Sequence, residues 1–495
     1  MVDGLLGIDV GTTSTKAVLF DTSGRELASA CSQPYHNVMP LSGWVEQDPE
    51  ELWQAVLETI LSVVAQSKEA VTVKALCMAA QSGSLIPADS SGNPVYPLIT
   101  WLDGRAEEIV NDWKIQGYQD WVKPLSGWSL YPSLCLPTIA WLKKNNPDVF
   151  SSARIFFSVN DFLVFRLTGK MITNPSNAGG MQLVDIKTGQ WSEELCQLAG
   201  IKVENLSKMA PAGVIIGEVL PEICHKTGLT AGTAVVNGGH DQGCTALGLG
   251  IIEPGKMLLA CGTAWVFTGV LSSADMTSLP ATLDLNFHTV PNRWTLSQSL
   301  GGLGASFEWW INKTFQAGNE GFSRSKMFTE LNLEIAQTKM DPYLFFLPLT
   351  GGHDDPATTR RGGFIGLQLG HSRADMARAI MEGAAFELRW ALEQVLSANI
   401  PIEKLSMVGG AAQSPLWPQI LANVTGIPIC LPEYDHWPAL GAAILAGYGI
   451  GAFTNLIQGL EKFQKSQKEI EPEIGMASLY SRAFFDYQRI CTLYR

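Results

Sequence analysis

The chain has 495 residues, 46% hydrophobic and 16% charged, which is enough for two or three domains with sizeable cores. Its formal net charge of -13 argues against a nucleic-acid or anionic-membrane partner, because both polyanions would repel it. Nine scattered cysteines without a C-x-x-C pair favour reduced thiols and a cytoplasmic location. The apolar residues 4–10 are interrupted by Asp9 and are not expected to be a signal peptide. Residues 439–453 fall short of the ~20 residues that a membrane span needs.

Short β-rich runs separated by turns open the chain. Residues 4–10 and 16–20 predict two strands joined by a Gly-Thr-Thr turn, and residues 26–29 can continue the sheet. Residues 73–79 predict a further buried strand after an intervening helix. This alternation of strands and helices indicates the α/β class.

The first helix is expected directly after Asp48. Asp48 suits the N-cap, Pro49 the first helical position and Glu51 the acidic position of a capping box. Apolar residues then recur with a helical period and predict a buried stripe, formed by Leu52, Val56, Ile60 and Val63.

A similar opening recurs in the second half of the chain. A strand-like run at residues 233–239 is followed by two β-rich runs, residues 256–260 and 265–270, with Gly262-Thr263 between them. Two copies of one α/β unit on either side of a shared cleft would explain this repeat. We therefore predict two domains, residues 1–247 and 248–495.

The first Gly-Thr turn contains the residue types of a phosphate site. Gly11 lets the backbone approach a phosphate, and Thr12 and Thr13 offer hydroxyl and N–H donors, with Lys16 closing the same stretch. Asp9, at the end of the preceding strand, can hold Mg²⁺ through water. A plain hairpin turn would explain the same residues without a ligand.

Two further glycine-rich segments are candidates for nucleotide binding. Gly262-Thr263 has the same chemistry as the first turn, and Gly409-Gly410, with Gln413 beyond it, forms a strand-to-helix turn of small residues that can admit an adenosine. Tight helix–strand packing is the alternative explanation for the second segment. Neither the Walker A pattern nor G-x-G-x-x-G occurs, which disfavours P-loop NTPases and Rossmann dehydrogenases.

Asp241 is the candidate catalytic group. It follows a β-rich run in a glycine-rich turn, where a carboxylate can accept the proton of an attacking hydroxyl. A turn aspartate or a helix N-cap would look the same. The neighbouring His240 is expected to pack or to support the site indirectly, since no metal-like histidine spacing surrounds it.

Two short segments offer contacts for a polyhydroxylated ligand. Trp101, Asp103 and Arg105 combine an aromatic surface, an acceptor and a forked donor, although an ordinary turn with an ion pair has the same composition. Gln81 and Ser82 follow a buried strand and can add polar contacts at a cleft edge.

Taken together, these segments resemble the FGGY carbohydrate kinases, which include xylulokinases, ribulokinases, gluconokinases and glycerol kinases. The resemblance extends over residues 7–447, and its strength lies in the order and spacing of the matching segments rather than in any one of them. The matching segments are residues 7–13, 44–49, 101–105, 166–169, 238–241, 262–263, 362–367, 375–382 and 409–410.

The resemblance implies two actin-like (ribonuclease H-like) domains with ATP and a sugar meeting in the cleft between them. It implies that Asp241 is the catalytic base and that Asp9 organises Mg²⁺. It also implies closure of the domains around the substrates, which would exclude water. The implied ligand contacts are Thr12, Thr13 and Thr263 with the phosphates, Gly409, Gly410 and Gln413 with the adenosine, and Gln81, Trp101, Asp103 and Arg105 with the sugar.

Two departures from the family pattern concern the substrate. Gly83 stands where xylulokinases place a histidine near the sugar, and Thr138 stands where the family's first signature has a lysine. The Arg-Glu that glycerol kinases carry after the residue matching Gln81 is absent, which makes glycerol a weaker candidate.

Xylulose-type ketoses are the first candidate substrates, and another ketose, a polyol or a sugar acid is the alternative. A non-catalytic sugar- or nucleotide-binding regulator, a filament-forming ATPase and assembly as a homodimer are left open.

Overall fold

A computed structural model of the protein describes residues 2–67, 70–277, 279–315, 324–354 and 362–494. In the first half of the chain the elements are β1 (Val2–Val10), β2 (Thr15–Asp21), β3 (Glu26–Cys31), β4 (Glu46–Gln47), α1 (Pro49–Gln66), β5 (Val71–Ala80), β6 (Ile86–Ala88), β7 (Leu98–Ile99), α2 (Glu107–Ile115), α3 (Gln119–Ser126), α4 (Cys135–Asn145), α5 (Pro147–Ser152), β8 (Ile155–Phe157), α6 (Val159–Thr168), β9 (Ile172–Thr173), α7 (Pro175–Gly179), α8 (Glu193–Ala199), β10 (Lys208–Met209), β11 (Ile215–Glu218), α9 (Pro221–Thr227), β12 (Ala234–His240) and α10 (Asp241–Gly248).

In the second half the elements are β13 (Gly255–Cys261), β14 (Trp265–Leu271), β15 (Asp284–Phe287), β16 (Trp294–Gly301), α11 (Leu303–Phe315), α12 (Arg324–Gln337), β17 (Phe345–Leu347), β18 (Gly363–Ile365), α13 (Arg373–Ser397), β19 (Ile402–Val408), α14 (Trp417–Thr425), β20 (Ile429–Pro432), α15 (Trp437–Gly449), α16 (Leu456–Phe463), β21 (Gln467–Ile470) and α17 (Met476–Tyr494). Short 3₁₀ helices span Val203–Asn205 and Gly410–Gln413. Within the described ranges, no helix is both long and apolar enough to cross a membrane.

Two large mixed sheets repeat one topology. The strand order is β11-β12-β5-β1-β2-β3 in the first sheet and β15-β16-β14-β13-β19-β20-β21 in the second. In each sheet a central strand, β1 or β13, pairs antiparallel with the strand that follows it and parallel with a later strand, β5 or β19. The two Gly-Thr turns occupy the equivalent hairpins, so the predicted repeat is confirmed.

Helix α1 begins as its sequence predicts, with one difference at the cap. The Asp48 side chain accepts a hydrogen bond from the backbone N–H of Glu50, and Pro49 takes the first helical position. The carboxylate of Glu51 contacts the backbone N–H and the ring of His36, so the loop before the helix engages the predicted capping-box acid. The predicted apolar stripe is fully buried against the first sheet, at Leu52, Val56, Ile60 and Val63.

Helix α15 joins the two halves of the molecule. Although it comes from the second half of the chain, it packs against β1 and β5 of the first sheet and crosses α10. The approach is close enough to require glycine: a Cβ on Gly7 would lie 1.8 Å from the carbonyl oxygen of Ala439, and one on Gly441 would lie 2.0 Å from that of Cys244. A core with side chains from both halves therefore lies directly behind the strand ends that carry the site.

Candidate active site

Three parallel strands of the first sheet end side by side and carry acidic and polar residues there. Asp9 on β1 pairs with Ala79 on β5, which pairs in turn with Gly239 on β12. Gln81 comes directly after β5 and donates its backbone N–H to the carbonyl of Val10, at 2.9 Å. The fold thus brings Asp9, Gln81 and the start of α10 to one edge of the sheet.

Asp9 is a half-buried carboxyl group beside a second acid. Burial, and then the negative charge of Asp241, raise the pKa of Asp9 to about 7, while Lys16 acts in the opposite direction. An effect of this kind requires the Asp241 carboxylate to be close by in a poorly solvated region. The strand ends therefore hold a concentrated negative charge that a cation can neutralise.

Asp241 is the first residue of α10, and its side chain is partly exposed, at 27%. His240 places its Nε2 atom 3.0 Å from the Asp241 carboxylate and donates its backbone N–H to the Ser176 hydroxyl. Its position beside Asp241 is the one expected of a supporting residue. Thr289, from the second half of the chain, packs against the same turn, since a Cβ on Gly239 would lie 2.2 Å from its methyl group. Segments from both halves thus fix the turn that exposes the Asp241 carboxylate.

Gln81 and Trp101 present groups that a polar ligand can use. Gln81 is only 1% exposed, and its Nε2 atom has no hydrogen-bond partner among the described residues, whereas its Oε1 atom accepts from Ser84. A buried donor without a partner is costly unless a ligand or water completes it. Trp101 is 42% exposed, although it is a large aromatic residue. Ser82, by contrast, already donates to the carbonyl of Asn177.

Gln242 extends this polar set and was not singled out in the sequence. Its Oε1 atom is buried and has no partner within the described structure, and its backbone follows Asp241 directly at the start of α10. Its position next to the candidate base, at the start of a helix that directly follows a strand end, was a usable signal.

Asp103 and Arg105 face the protein rather than the cleft. The Arg105 guanidinium donates to both oxygens of Asp103 and to Glu46, each at 2.8 Å, and lies 4.1 Å above the centre of the Trp44 ring. Burial lowers the pKa of Arg105, but its bonds to the two carboxylates outweigh this and raise it above the usual value. The exposed side chain of Trp101 is therefore separate from the buried ion pair of Asp103 and Arg105.

The two departures from the family pattern have local structural consequences. Gly83 has a φ of +83°, and a Cβ there would lie 3.3 Å from side-chain atoms of Leu134 and Trp101. A histidine at this position would therefore be strained and crowded. Thr138 is buried in α4, where its hydroxyl donates to the carbonyl of Leu134.

A cavity of about 670 Å³ lies at the ends of the second sheet, and it brings together four of the predicted nucleotide-binding residues. The predicted residues that line it are Gly262, Thr263, Gly410 and Gln413. Residues that the sequence did not single out complete it, among them Gly304, Phe307, Glu308, Asn332, Ser414 and Trp417.

Glycines bring the backbones around this cavity into contact. A Cβ on Gly409, whose φ is +96°, would lie 2.7 Å from the carbonyl oxygen of Cys261, and one on Gly304 would lie 2.1 Å from that of Gly262. The run Gly301-Gly302 and Gly304, which spans the end of β16 and the first turn of α11, has the same strand-to-helix pattern as Gly409-Gly410 and was therefore a usable signal. The predicted residues Gly11, Thr12, Thr13 and Lys16 lie apart from this cavity, in the β1–β2 hairpin next to Asp9.

Models of known protein families match both halves of the chain. Two family models match the chain: the N-terminal domain of the FGGY family of carbohydrate kinases over residues 5–248, and the C-terminal domain of that family over residues 257–450. The chain belongs to the FGGY family of carbohydrate kinases. The predicted class, two actin-like α/β domains, is thereby confirmed for this FGGY kinase.

Relatives of this FGGY kinase differ in their substrates. It is 27% identical to the xylulose kinase of Bacillus subtilis over 492 residues, which covers 99% of this chain and 96% of the relative. It is 28% identical to the autoinducer-2 kinase of Yersinia enterocolitica over 508 residues, covering 99% and 94%. The gluconate kinase structure from Lactobacillus acidophilus matches with a TM-score of 0.90 at 27% identity, covering 100% of this chain and 98% of that one.

Proposed function

We propose that this FGGY kinase transfers the γ-phosphate of ATP to a hydroxyl of a small sugar, with a ketopentose such as D-xylulose as the first candidate. The observation that carries the proposal is the position of Asp241, a partly exposed carboxylate at the end of β12 beside the half-buried Asp9. Asp241 takes the proton of the attacking hydroxyl as its oxygen bonds to the γ-phosphorus. The bond from that phosphorus to the β–γ bridging oxygen breaks, and ADP leaves.

Asp9 fits the role of magnesium ligand. Mg²⁺ is usually held by one or two carboxylates together with substrate phosphates, and when bound it neutralises charge on the phosphates. The described residues contain no group of three or more His, Cys, Asp or Glu side chains that could hold a metal, so phosphate oxygens and water would complete the coordination. The pKa of Asp9, raised by burial and by Asp241, identifies a negative charge that such a cation would stabilise.

ATP would extend from the cavity of the second half to the strand ends of the first. The glycine-lined cavity suits the adenosine, with Gly410 and Gln413 in its lining and Gly409 directly before them in the chain. Thr263, in the β13–β14 hairpin that also lines the cavity, suits a phosphate. The β1–β2 hairpin would face the phosphates from the other side, through Gly11, Thr12, Thr13 and Lys16. We therefore propose that residues 1–247 bind the sugar and supply the base, and that residues 248–495 bind mainly the nucleotide.

The sugar would lie against Trp101 and the polar groups of Gln81, Ser82 and Gln242. An uncharged substrate is favoured over a sugar acid, because Asp103 and Glu46 already neutralise Arg105, the cation that the sequence placed there. Asp103 and Arg105 would then act by supporting the segment that carries Trp101. A kinase for another ketose or polyol is the second candidate, since Gly83 removes the histidine that xylulokinases place near the sugar.

A coupled ADP-release assay with MgATP tests the proposal. The panel is D-xylulose, D-ribulose, L-ribulose, autoinducer-2, glycerol, D-gluconate and D-glucitol, the last being a neutral six-carbon match for gluconate. We expect sugar-dependent ADP release with a ketopentose, and D-gluconate inactive. If ATP binds but neither this panel nor a metabolite extract releases ADP, the protein is a binding regulator and not a kinase.

A further inference from the structure

Two segments beside the proposed sugar site converge on Thr12 of the phosphate turn. The indole Nε1–H of Trp101 donates to the Thr12 hydroxyl at 2.7 Å. The Nε2 group of Gln47 donates to the Thr12 carbonyl at 2.8 Å and, at the same distance, to the Asn37 side chain. Both the side chain and the backbone of Thr12 are thus held by residues from outside the turn.

The direction of the Trp101 bond leaves the Thr12 proton available. An indole nitrogen can only donate, so the hydroxyl oxygen must be the acceptor in this pair. The hydroxyl retains its own proton, which can donate to another acceptor, and a phosphate oxygen accepts such a bond strongly. Thr12 is only partly buried, so that proton can reach a ligand in the cleft.

The two donors share one support. Gln47 directly follows Glu46 in the chain, and Trp101 lies two residues before Asp103. The guanidinium of Arg105 donates hydrogen bonds to the carboxylates of both Glu46 and Asp103. The short strands β4 and β7 pair with each other, and the backbone N–H of Val45 donates to Asp103 at 2.6 Å. The segment that carries Trp101 and the segment that carries Gln47 are therefore connected to each other through the buried Arg105.

We infer that Trp101 couples the two substrates: a sugar packed on its exposed face immobilises the indole, which then directs the Thr12 hydroxyl toward the phosphates of ATP. This inference rests on the proposed function. It assigns Trp101 a positioning role toward the nucleotide, in addition to contact with the sugar. The 42% exposure of Trp101 leaves a face for the sugar to cover, while its Nε1 atom is already bonded to Thr12.

The test compares Trp101→Phe, which keeps an aromatic face but removes the N–H donor, with Thr12→Val, Thr12→Ser and the Trp101→Phe/Thr12→Val double variant. Affinity for MgAMP-PNP, a non-hydrolysable ATP analogue, is measured by calorimetry with and without the sugar that the kinase phosphorylates. We expect the sugar to raise nucleotide affinity about fivefold or more in the wild type. We expect that gain to be lost in Trp101→Phe and Thr12→Val, lost no further in the double variant, and retained in Thr12→Ser.

The outcomes separate this inference from the proposed function. If the wild type phosphorylates a sugar but the effects of the two single substitutions on nucleotide affinity add in the double variant, the coupling is wrong and the function stands. If no sugar is phosphorylated, the proposed function is wrong, but the affinities of the variants for MgAMP-PNP without sugar still test the Trp101–Thr12 link. Non-additive losses of nucleotide affinity in the double variant support the link, and additive losses overturn it. Unchanged urea unfolding of each variant shows that the losses are not caused by misfolding.

Discussion

Replacing Arg105 with alanine removes the cation from a buried cluster and leaves two carboxylates without a partner. The side chains of Arg105, Asp103 and Glu46 are 0%, 1% and 8% exposed, so water can solvate neither acid in place of the guanidinium. Breaking a buried ion pair by removing one partner costs about 3–5 kcal/mol. We expect Arg105→Ala to lose stabilisation in this range, and also the stacking on Trp44.

Urea unfolding, followed by circular dichroism, measures this loss. Arg25→Ala is the control, because it breaks a pair in which the arginine side chain is 55% exposed and should cost about 1 kcal/mol or less. A loss below ~1 kcal/mol for Arg105→Ala would refute the reasoning.

Two further predictions concern Gly7, which packs behind the site, and Asp9, the acidic residue proposed to bind magnesium. Gly7→Ala places a Cβ 1.8 Å from the backbone of α15 and should cost about 1–3 kcal/mol, whereas Gly370→Ala, with no atom within 4 Å of the new Cβ, should be neutral in the same urea titration. Equal effects would contradict the proposed role of Gly7. Asp9 has a pKa raised to about 7, so it becomes protonated below that pH and should hold Mg²⁺ about tenfold more weakly per pH unit lost. Magnesium titrations of activity from pH 8 to pH 6 check this, and a flat profile would remove Asp9 from the metal site.

Local patterns in the sequence predicted the elements around the site well. The Gly-Thr turns, the strands before them and the start of α1 at Pro49 depend on nearby residues, and the structure confirms each of them. The relation between the two halves also followed from the sequence, because the same hairpin pattern occurs in both.

Contacts between distant segments could not be read from the sequence in this way. The turn of Arg105 into the interior depends on Glu46, which lies 59 residues earlier, and no short motif contains both residues. Glu308 and Asn332 reach the cavity because α11 and α12 pack with particular faces toward it, and tertiary packing decides that orientation. The crossing of α15 onto the first sheet depends likewise on Gly7 meeting Ala439.

Turnover by Asp241→Asn tests most directly the claim that Asp241 is the general base of a sugar kinase. The amide keeps the size and much of the hydrogen bonding of the carboxylate but cannot accept the proton of the sugar hydroxyl. Sugar-dependent ADP release should fall by a factor of about 10²–10⁴, while calorimetry shows that sugar and MgAMP-PNP still bind. Near wild-type turnover in the variant would show that Asp241 is not the base and would contradict the proposed mechanism.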